Sequence, residues 1–172
     1  MPTKSLEAQT NQSFSTRNDL SKATRDGCCQ LLNVTLAATL DLWSQTKQAH
    51  WNVKGPNFYQ LHLLFDDVAE VVYPFIDIVA ERITALASVA NGTVRQAASQ
   101  SILPEYPAMP ISEKEHLKAL ADRLAAYVKH IREGIDKTDE LEDQATNDLY
   151  VEIARVIDQK LWFIEAHLQE NH

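Results

Sequence analysis

Apolar side chains recur every three or four residues along most of this chain, the spacing of helices that bury one face. The first such helix is predicted to begin at Asn18 or Asp19 and to continue to His50, which emerges on its inward face. A glycine and a proline follow within six residues, in the positions where they commonly end a helix. The first long element is therefore a helix of about thirty residues.

A second helix is predicted to begin at Asn57, with Gln60 as the partner in a capping box, and to end at about Val89. Pro74 lies inside it and is expected to remove one backbone hydrogen bond and bend the helix locally. A third helix is predicted to begin at a capping box of Ser112 and Glu115, because a hydroxyl and a carboxylate stand three residues apart before an apolar pattern.

The third helix is predicted to end near Lys137, and the fourth to begin at Thr146 or Asn147. Residues 90–111 contain three prolines and form a long connection with a short helical turn at about 94–99. Helices one and two, like three and four, are joined tightly, so the single long crossover lies in the middle of the chain. That connectivity is typical of a ferritin-like four-helix bundle. The predicted class is all-α, with the crossover carrying a short helix.

Composition indicates where the domain begins and which kinds of partner it can bind. The chain is expected to form a polar, flexible tail at 1–17 and one bundle domain at 18–172. With 24 acidic against 16 basic residues, the net charge of −8 should repel nucleic acid and attract cations. The absence of a long apolar run or secretory leader predicts a soluble, cytoplasmic protein without a membrane partner. Cys28 and Cys29 are neighbours within a helical pattern and are predicted to be buried or half-buried reduced thiols.

The candidate chemistry lies on helix two. His62, Asp66, Asp77 and Glu81 fall within an arc of roughly 100° on one face, and His50 precedes them. Along the axis, Asp66 and Asp77 are roughly 16 Å apart, which is too far to share an ion. Two antiparallel copies would instead set the first pair of one helix against the second pair of the other. The spacing therefore predicts a metal site across a two-fold axis.

A solvated helix face would give the same residue types, since carboxylates at four-residue spacing are common on surfaces. The metal interpretation is favoured because these acids lie among apolar residues and no Lys or Arg occurs between Lys54 and Arg82. Imidazole and carboxylate ligands suit Fe(II), Zn(II) or Mn(II). An intrachain di-iron centre is disfavoured, because it needs two Glu-x-x-His motifs and the chain has one, Glu113–His116.

The run His-Trp-Asn-Val-Lys-Gly-Pro-Asn-Phe at 50–58, with the four helix-two ligands and Ala-Glu-Arg at 80–82, resembles the signature of the Dps family. These are the mini-ferritins, or DNA-binding proteins from starved cells, and the likeness extends over nearly the whole chain. The resemblance implies a hollow shell of twelve subunits that oxidises Fe(II), preferably with hydrogen peroxide, and stores ferric mineral. It also implies a ferroxidase centre at the two-fold interface, with one subunit supplying His50, His62 and Asp66 and its partner supplying Asp77 and Glu81.

Two further assignments stay open. Trp51 is either a sink for stray oxidising equivalents or a packing residue of an interface. Zinc is an alternative occupant of the iron ligands, because the ligand types allow both metals.

Seven acids and one lysine lie between residues 133 and 148. The simple interpretation is a solvated loop between helices. The resemblance instead implies a pore at a three-fold axis where iron enters the shell, with Asp139 and Asp148 as the principal candidates and Asp143 behind them. A ring of such acids would concentrate cations.

Binding of DNA is expected to be weak or absent. A tail that coats DNA needs many basic residues contacting phosphates in parallel. The first seventeen residues offer only Lys4 and Arg17, against Glu7. A nucleoid-binding shell with incidental ferroxidase activity is therefore the alternative function, and an iron-oxidising storage and detoxification protein is the preferred one.

Overall fold

The computed structural model describes residues 13–169, so most of the predicted tail lies outside the described residues. Within that range the chain forms helices and connecting segments, with no strand. The helices are α1 (Lys22–Asn52), α2 (Phe58–Ala85), α3 (Val94–Gln100), α4 (Glu113–Glu140) and α5 (Gln144–Ala166). The prediction of four long helices and a short one in the crossover is confirmed.

The helices pack as two hairpins. α1 lies along α2 and α4 lies along α5, each pair joined by a short loop, while α1 also contacts α4 and the small α3. The long connection from α2 to α4 carries the chain between the hairpins, which gives the predicted bundle topology. Across 13–169, no helix is long and apolar enough to span a membrane.

The start of α1 differs from the prediction, because the side chain expected there has another partner, whereas the start of α4 does not. α1 is capped by Ser21, because the Asn18 side chain instead accepts the Leu20 N–H and forms a local turn. α4 begins at the predicted capping box of Ser112 and Glu115. A second capping box, Thr93 with Gln96, opens α3.

α2 and α4 end without glycine. Ala87 and Glu142 have φ of 63° and 58°, the left-handed region that glycine usually occupies. After each, an N–H reaches back five residues, from Ser88 to the Ile83 carbonyl and from Asp143 to the Thr138 carbonyl. These Schellman motifs end α2 four residues before the predicted Val89 and α4 three residues after the predicted Lys137.

Buried hydroxyls join α1 to the second hairpin. The Tyr127 hydroxyl lies 2.7 Å from the Thr39 hydroxyl, and the Tyr150 hydroxyl lies 2.8 Å from that of Thr35. Thr35 also contacts a ring nitrogen of His130 at 2.9 Å. Because each polar group has a partner, these large side chains fill the core without an unpaired hydroxyl.

Gly134 makes room for one of these tyrosines. A Cβ at this position would lie 2.5 Å from the Tyr150 ring, so Gly134→Ala should lower the free energy of unfolding by about 1–3 kcal/mol through overpacking. Gly92→Ala is the control, because its Cβ would meet only Leu36 at 3.5 Å. Thermal unfolding of the two variants measures the difference; equal midpoints would contradict the assigned role of Gly134.

Candidate metal centre

The loop between α1 and α2 brings two of the predicted ligands into contact. His50 lies in the last turn of α1 and His62 in the second turn of α2. Their rings stack with centroids 3.7 Å apart and planes 22° from parallel. The Nδ1 atom of each ring lies against the backbone carbonyl of the other residue. His50 Nδ1 is 2.8 Å from the His62 carbonyl oxygen, and His62 Nδ1 is 2.9 Å from the His50 carbonyl oxygen.

This reciprocal arrangement fixes which ring nitrogens can bind a metal. A carbonyl oxygen only accepts hydrogen bonds, so each Nδ1 must carry the hydrogen. In the neutral imidazole the lone pair then lies on Nε2. Histidine ligands in metalloproteins are commonly oriented in this way, by a hydrogen bond from the other ring nitrogen. His50 and His62 are thus prepared as a pair of Nε2 donors.

Asp66 lies beside this pair but already has a cationic partner. The Lys47 ammonium of α1 donates to Asp66 Oδ1 at 2.6 Å, and His50 Nδ1 lies 3.9 Å from the same oxygen. Hydrogen bonding from Lys47 holds the pKa of the Asp66 carboxyl below its usual range. No Lys or Arg occurs between Lys54 and Arg82, and the cation that pairs with Asp66 is a lysine of the neighbouring helix rather than a metal in this single chain.

Asp67 has a similar partner: Lys160 of α5 donates to its carboxylate at 2.6 Å. Packing of α1 and α5 against α2 thus supplies two ammonium groups that the sequence of α2 alone does not contain.

Asp77 and Glu81 lie on α2 and are both exposed. A gap of eleven residues separates Asp77 from Asp66, roughly 16 Å along a helix. Within 13–169, one copy of the chain contains no group of three or more His, Cys, Asp or Glu side chains placed to hold a metal. The structure brings His50 and His62 into contact, with Asp66 nearby but not completing such a group, and it leaves Asp77 and Glu81 apart from them.

The surface around the acidic pair is unusually apolar. Asp77 lies in the wall of an open groove of about 920 Å³ between α1, α2 and α3, which Trp43 and Tyr73 also line. The Tyr73 side chain is 60% exposed and Ile78 is 41% exposed. Exposed apolar side chains clustered beside carboxylates are typical of a surface that another molecule covers.

Glu113 fixes the loop that joins the two histidines. Its carboxylate accepts from the Asn57 backbone N–H at 2.8 Å and from the Asn57 side-chain amide at 3.2 Å. The predicted capping box of Asn57 and Gln60 is wrong, since the Asn57 side chain makes no capping hydrogen bond. Gly55, at φ +148°, passes so close to Glu113 that a Cβ there would lie 2.5 Å from its carboxyl carbon.

The second half of the Glu-x-x-His motif points elsewhere. His116 is fully buried and its Nδ1 lies 2.7 Å from the Tyr106 hydroxyl. Glu113 and His116 have separate partners, and within residues 13–169 the motif forms no metal site.

The acidic residues at the end of α4 and the start of α5 are of two kinds. Asp139 and Asp148 are exposed, and Asp148 shares a shallow groove with Glu81. Asp143 is buried: both of its oxygens accept from Arg82, at 2.8 and 2.9 Å, and its side chain caps α5. Burial alone would raise the pKa of Asp143, but hydrogen bonds from Thr146 and Arg82 outweigh it and lower that pKa. Asp143 therefore cannot line a pore, and its predicted role there is withdrawn.

The cysteines are free and buried, as predicted. Burial raises the pKa of the Cys28 thiol to about 12, which keeps it protonated and unreactive.

Comparisons with known proteins agree with this architecture. Residues 29–171 match the family model described as a ferritin-like domain. The "DNA protection during starvation protein" of Agrobacterium fabrum is 38% identical over 155 residues, covering 90% of this chain and 96% of that protein. Among solved structures, DpsC from Streptomyces coelicolor superposes with a TM-score of 0.89 at 33% identity, covering 93% of this chain and 94% of the other. Dps from Mycobacterium smegmatis gives a TM-score of 0.87 at 30% identity, with 91% and 96% covered. The chain belongs to the Dps family of ferritin-like proteins.

Proposed function

We propose that this protein stores and detoxifies iron, oxidising Fe(II), preferably with hydrogen peroxide, at sites shared between two subunits of a dodecameric shell that holds the ferric mineral. One observation carries the proposal: His50 of α1 and His62 of α2 stack and engage the backbone through Nδ1, which leaves both Nε2 atoms for a metal, while the exposed pair Asp77 and Glu81 lies farther along α2. A two-fold axis across α2 would join these halves.

The two halves of this shared centre differ chemically. Asp77 and Glu81 offer carboxylate oxygens, which bind Fe(II) as hard, exchangeable ligands, and the histidine pair adds nitrogen donors that favour a transition metal over calcium. Asp66 would assist a second, weaker Fe(II) by exchanging its contact with Lys47 for one with the metal. Two adjacent Fe(II) ions would give one electron each to a peroxide molecule, which takes up two protons and yields two water molecules, so that little hydroxyl radical is released.

Anaerobic loading tests this chemistry directly. The assembled protein is given two Fe(II) per proposed site and then one equivalent of peroxide, with Fe(III) absorbance and spin-trapped radicals followed together. We expect rapid oxidation with little trapped hydroxyl radical, compared with the same iron free in buffer. Oxidation at the buffer rate with full radical yield would exclude the proposed centre. Zinc, whose ligand preferences overlap, serves as the competing ion in the same assay.

Iron uptake is proposed to pass the exposed acids Asp139 and Asp148. Because a charged constriction concentrates cations and salt screens it, Asp148→Asn should slow Fe(II) uptake several-fold at low salt and much less at about 0.15 M salt. Stopped-flow oxidation at both salt concentrations measures the effect. Asp158→Asn is the control, because Asp158 lies on α5 like Asp148 and makes a surface ion pair with Arg132 of α4. Equal rates for the Asp148 variant and the wild type at low salt would remove this residue from the path.

The name of the Agrobacterium relative includes DNA protection. For this chain we propose protection by iron removal rather than by coating, since the tail holds two bases and one acid and the net charge is −8. No retardation of DNA is expected in a mobility-shift assay in about 0.15 M salt. A clear shift under that condition would favour the alternative, a nucleoid-binding shell with incidental ferroxidase activity.

Trp51, which is 64% exposed beside His50, keeps both proposed roles, as an oxidisable residue or as an interface residue.

A further inference from the structure

A tyrosine in the crossover forms a short hydrogen bond with a histidine that the proposed ferroxidase chemistry does not use. The Tyr106 hydroxyl lies 2.7 Å from Nδ1 of His116, in the first turn of α4. His116 has no exposed surface, and its Nε2 has no hydrogen-bond partner within residues 13–169. Buried polar atoms without a partner are rare, and one reason for their retention is a redox role.

The segment around Tyr106 is held rigidly. Arg123 is buried and donates to the Glu105 carbonyl, the Ala119 carbonyl and the Gln45 side chain. Gln45 in turn donates to the Pro104 carbonyl at 3.0 Å. The two carbonyls that precede Tyr106 are therefore both anchored, and the distance from its hydroxyl to His116 is fixed by the fold.

Electrostatics decide where the hydroxyl proton lies. Burial raises the pKa of the Tyr106 phenol and lowers the pKa of the His116 imidazole, so at neutral pH the phenol keeps its proton and the ring nitrogen has a lone pair to accept it. The Arg123 guanidinium lies 5.7 Å from the Tyr106 ring centroid and disfavours a cation on that ring. Loss of an electron from Tyr106 must therefore be accompanied by transfer of its proton.

The pair contacts an aromatic ring of α2, the helix that carries His62 and Asp66. The Phe65 ring, whose residue precedes Asp66 on α2, has its centroid 6.3 Å from that of His116, and the Tyr106 ring lies 6.0 Å beyond. Phe65, His116 and Tyr106 thus form a row of rings that runs from α2, next to Asp66, to the crossover.

We propose that Tyr106 and His116 form a redox-active pair that collects one-electron oxidising equivalents escaping from the Fe(II)–peroxide reaction. This inference rests on the proposed function, because the Fe(II)–peroxide reaction supplies the oxidant, a one-electron oxidant of the hydroxyl-radical class. The oxidant takes one electron and becomes hydroxide, while the Tyr106 O–H proton moves to His116 Nδ1, which leaves a neutral tyrosyl radical and an imidazolium. One Fe(II) then returns the electron and becomes Fe(III), and the proton returns from Nδ1 to the phenolate oxygen.

The test separates this pair from the iron chemistry. Azide radicals, generated by pulse radiolysis in the metal-free assembled protein, oxidise tryptophan and tyrosine by one electron. The wild type should develop a long-lived tyrosyl absorbance that Tyr106→Phe loses and Tyr59→Phe keeps; Tyr59 is 65% exposed and serves as the matched surface control. With ascorbate added as the one-electron reductant in place of Fe(II), decay of the wild-type signal should slow in D₂O, since the proton returns with the electron.

Identical radical yield and lifetime in the wild type and Tyr106→Phe would overturn the assignment, as would a decay that D₂O does not change. Because no iron is present, neither result depends on whether the ferroxidase proposal is correct. A freeze-quench electron paramagnetic resonance measurement after Fe(II) and excess peroxide then checks the link: a tyrosyl signal that Tyr106→Phe removes supports it. Its absence, with the radiolysis signal intact, would contradict the role in collecting equivalents from iron.

Discussion

Co-assembly of two inactive variants should restore iron oxidation at roughly one quarter of the sites, because a two-fold interface takes each half of a site from a different chain. The first variant is His50→Ala with His62→Ala, and the second is Asp77→Asn with Glu81→Gln. Alone, each variant should bind metal more weakly by about 10- to 100-fold or more. That range is found for the loss of residues that only hydrogen-bond to metal ligands, and these variants remove the ligands themselves. In the mixture, a site is complete when its histidines come from the second variant and its acids from the first.

Differently tagged chains, co-expressed and purified through both tags, give the mixed assemblies for peroxide-driven oxidation assays. Each variant co-assembled with the wild type controls for incorporation. Absence of recovery in the double-variant assemblies, with normal recovery in these controls, would mean that the two halves do not combine across chains.

Lys47→Met should tighten binding of the second, weaker metal ion by roughly fivefold. The ammonium holds the Asp66 carboxylate at 2.6 Å, and a metal must displace it. Since the Asp66 side chain is 36% exposed, solvent weakens this ion pair to about 1 kcal/mol, which corresponds to that factor. Methionine keeps most of the apolar stem of Lys47, whose side chain is 19% exposed, so the fold should tolerate the change.

Calorimetric titration with zinc or with anaerobic Fe(II) resolves the two binding steps. Lys54→Met removes an exposed lysine just past the end of α1 and is the control for net charge. The prediction fails if both variants bind the second ion equally well, because the effect would then be general electrostatics rather than release of Asp66.

The helices and their order could be predicted from sequence because apolar spacing, prolines and the Ser112 capping box all indicate the same elements. Two helix ends could not, since Ala87 and Glu142 occupy a left-handed conformation for which glycine is the usual signal. That conformation allows the hydrogen bonds from Ser88 and Asp143 that end the helices, and nothing in the residue types alanine and glutamate indicates it.

The candidate site divides in the same way. Proximity of His50 to His62 follows from a tight hairpin with one histidine in the last turn of α1 and the other near the start of α2. The partners of Asp66 and Asp67 could not be predicted from the sequence of α2, because Lys47 and Lys160 reach them from other helices. Asp143 resembled its exposed acidic neighbours in sequence, and only packing against Arg82 distinguishes it. The full ligand set across two chains stays a prediction.

The crossed hydrogen bonds of His50 and His62 have a consequence for how such a protein can change over evolution. Each ring fastens the backbone of the other helix with one nitrogen and leaves the second for the proposed metal. Loss of either imidazole therefore loosens a structural clasp as well as removing a ligand. A descendant that abandoned iron oxidation would still be under selection to keep both histidines, or would need a new contact to close the hairpin. Retention of this pair alone is thus a poor guide to activity, and the acids of the partner half-site are the better diagnostic.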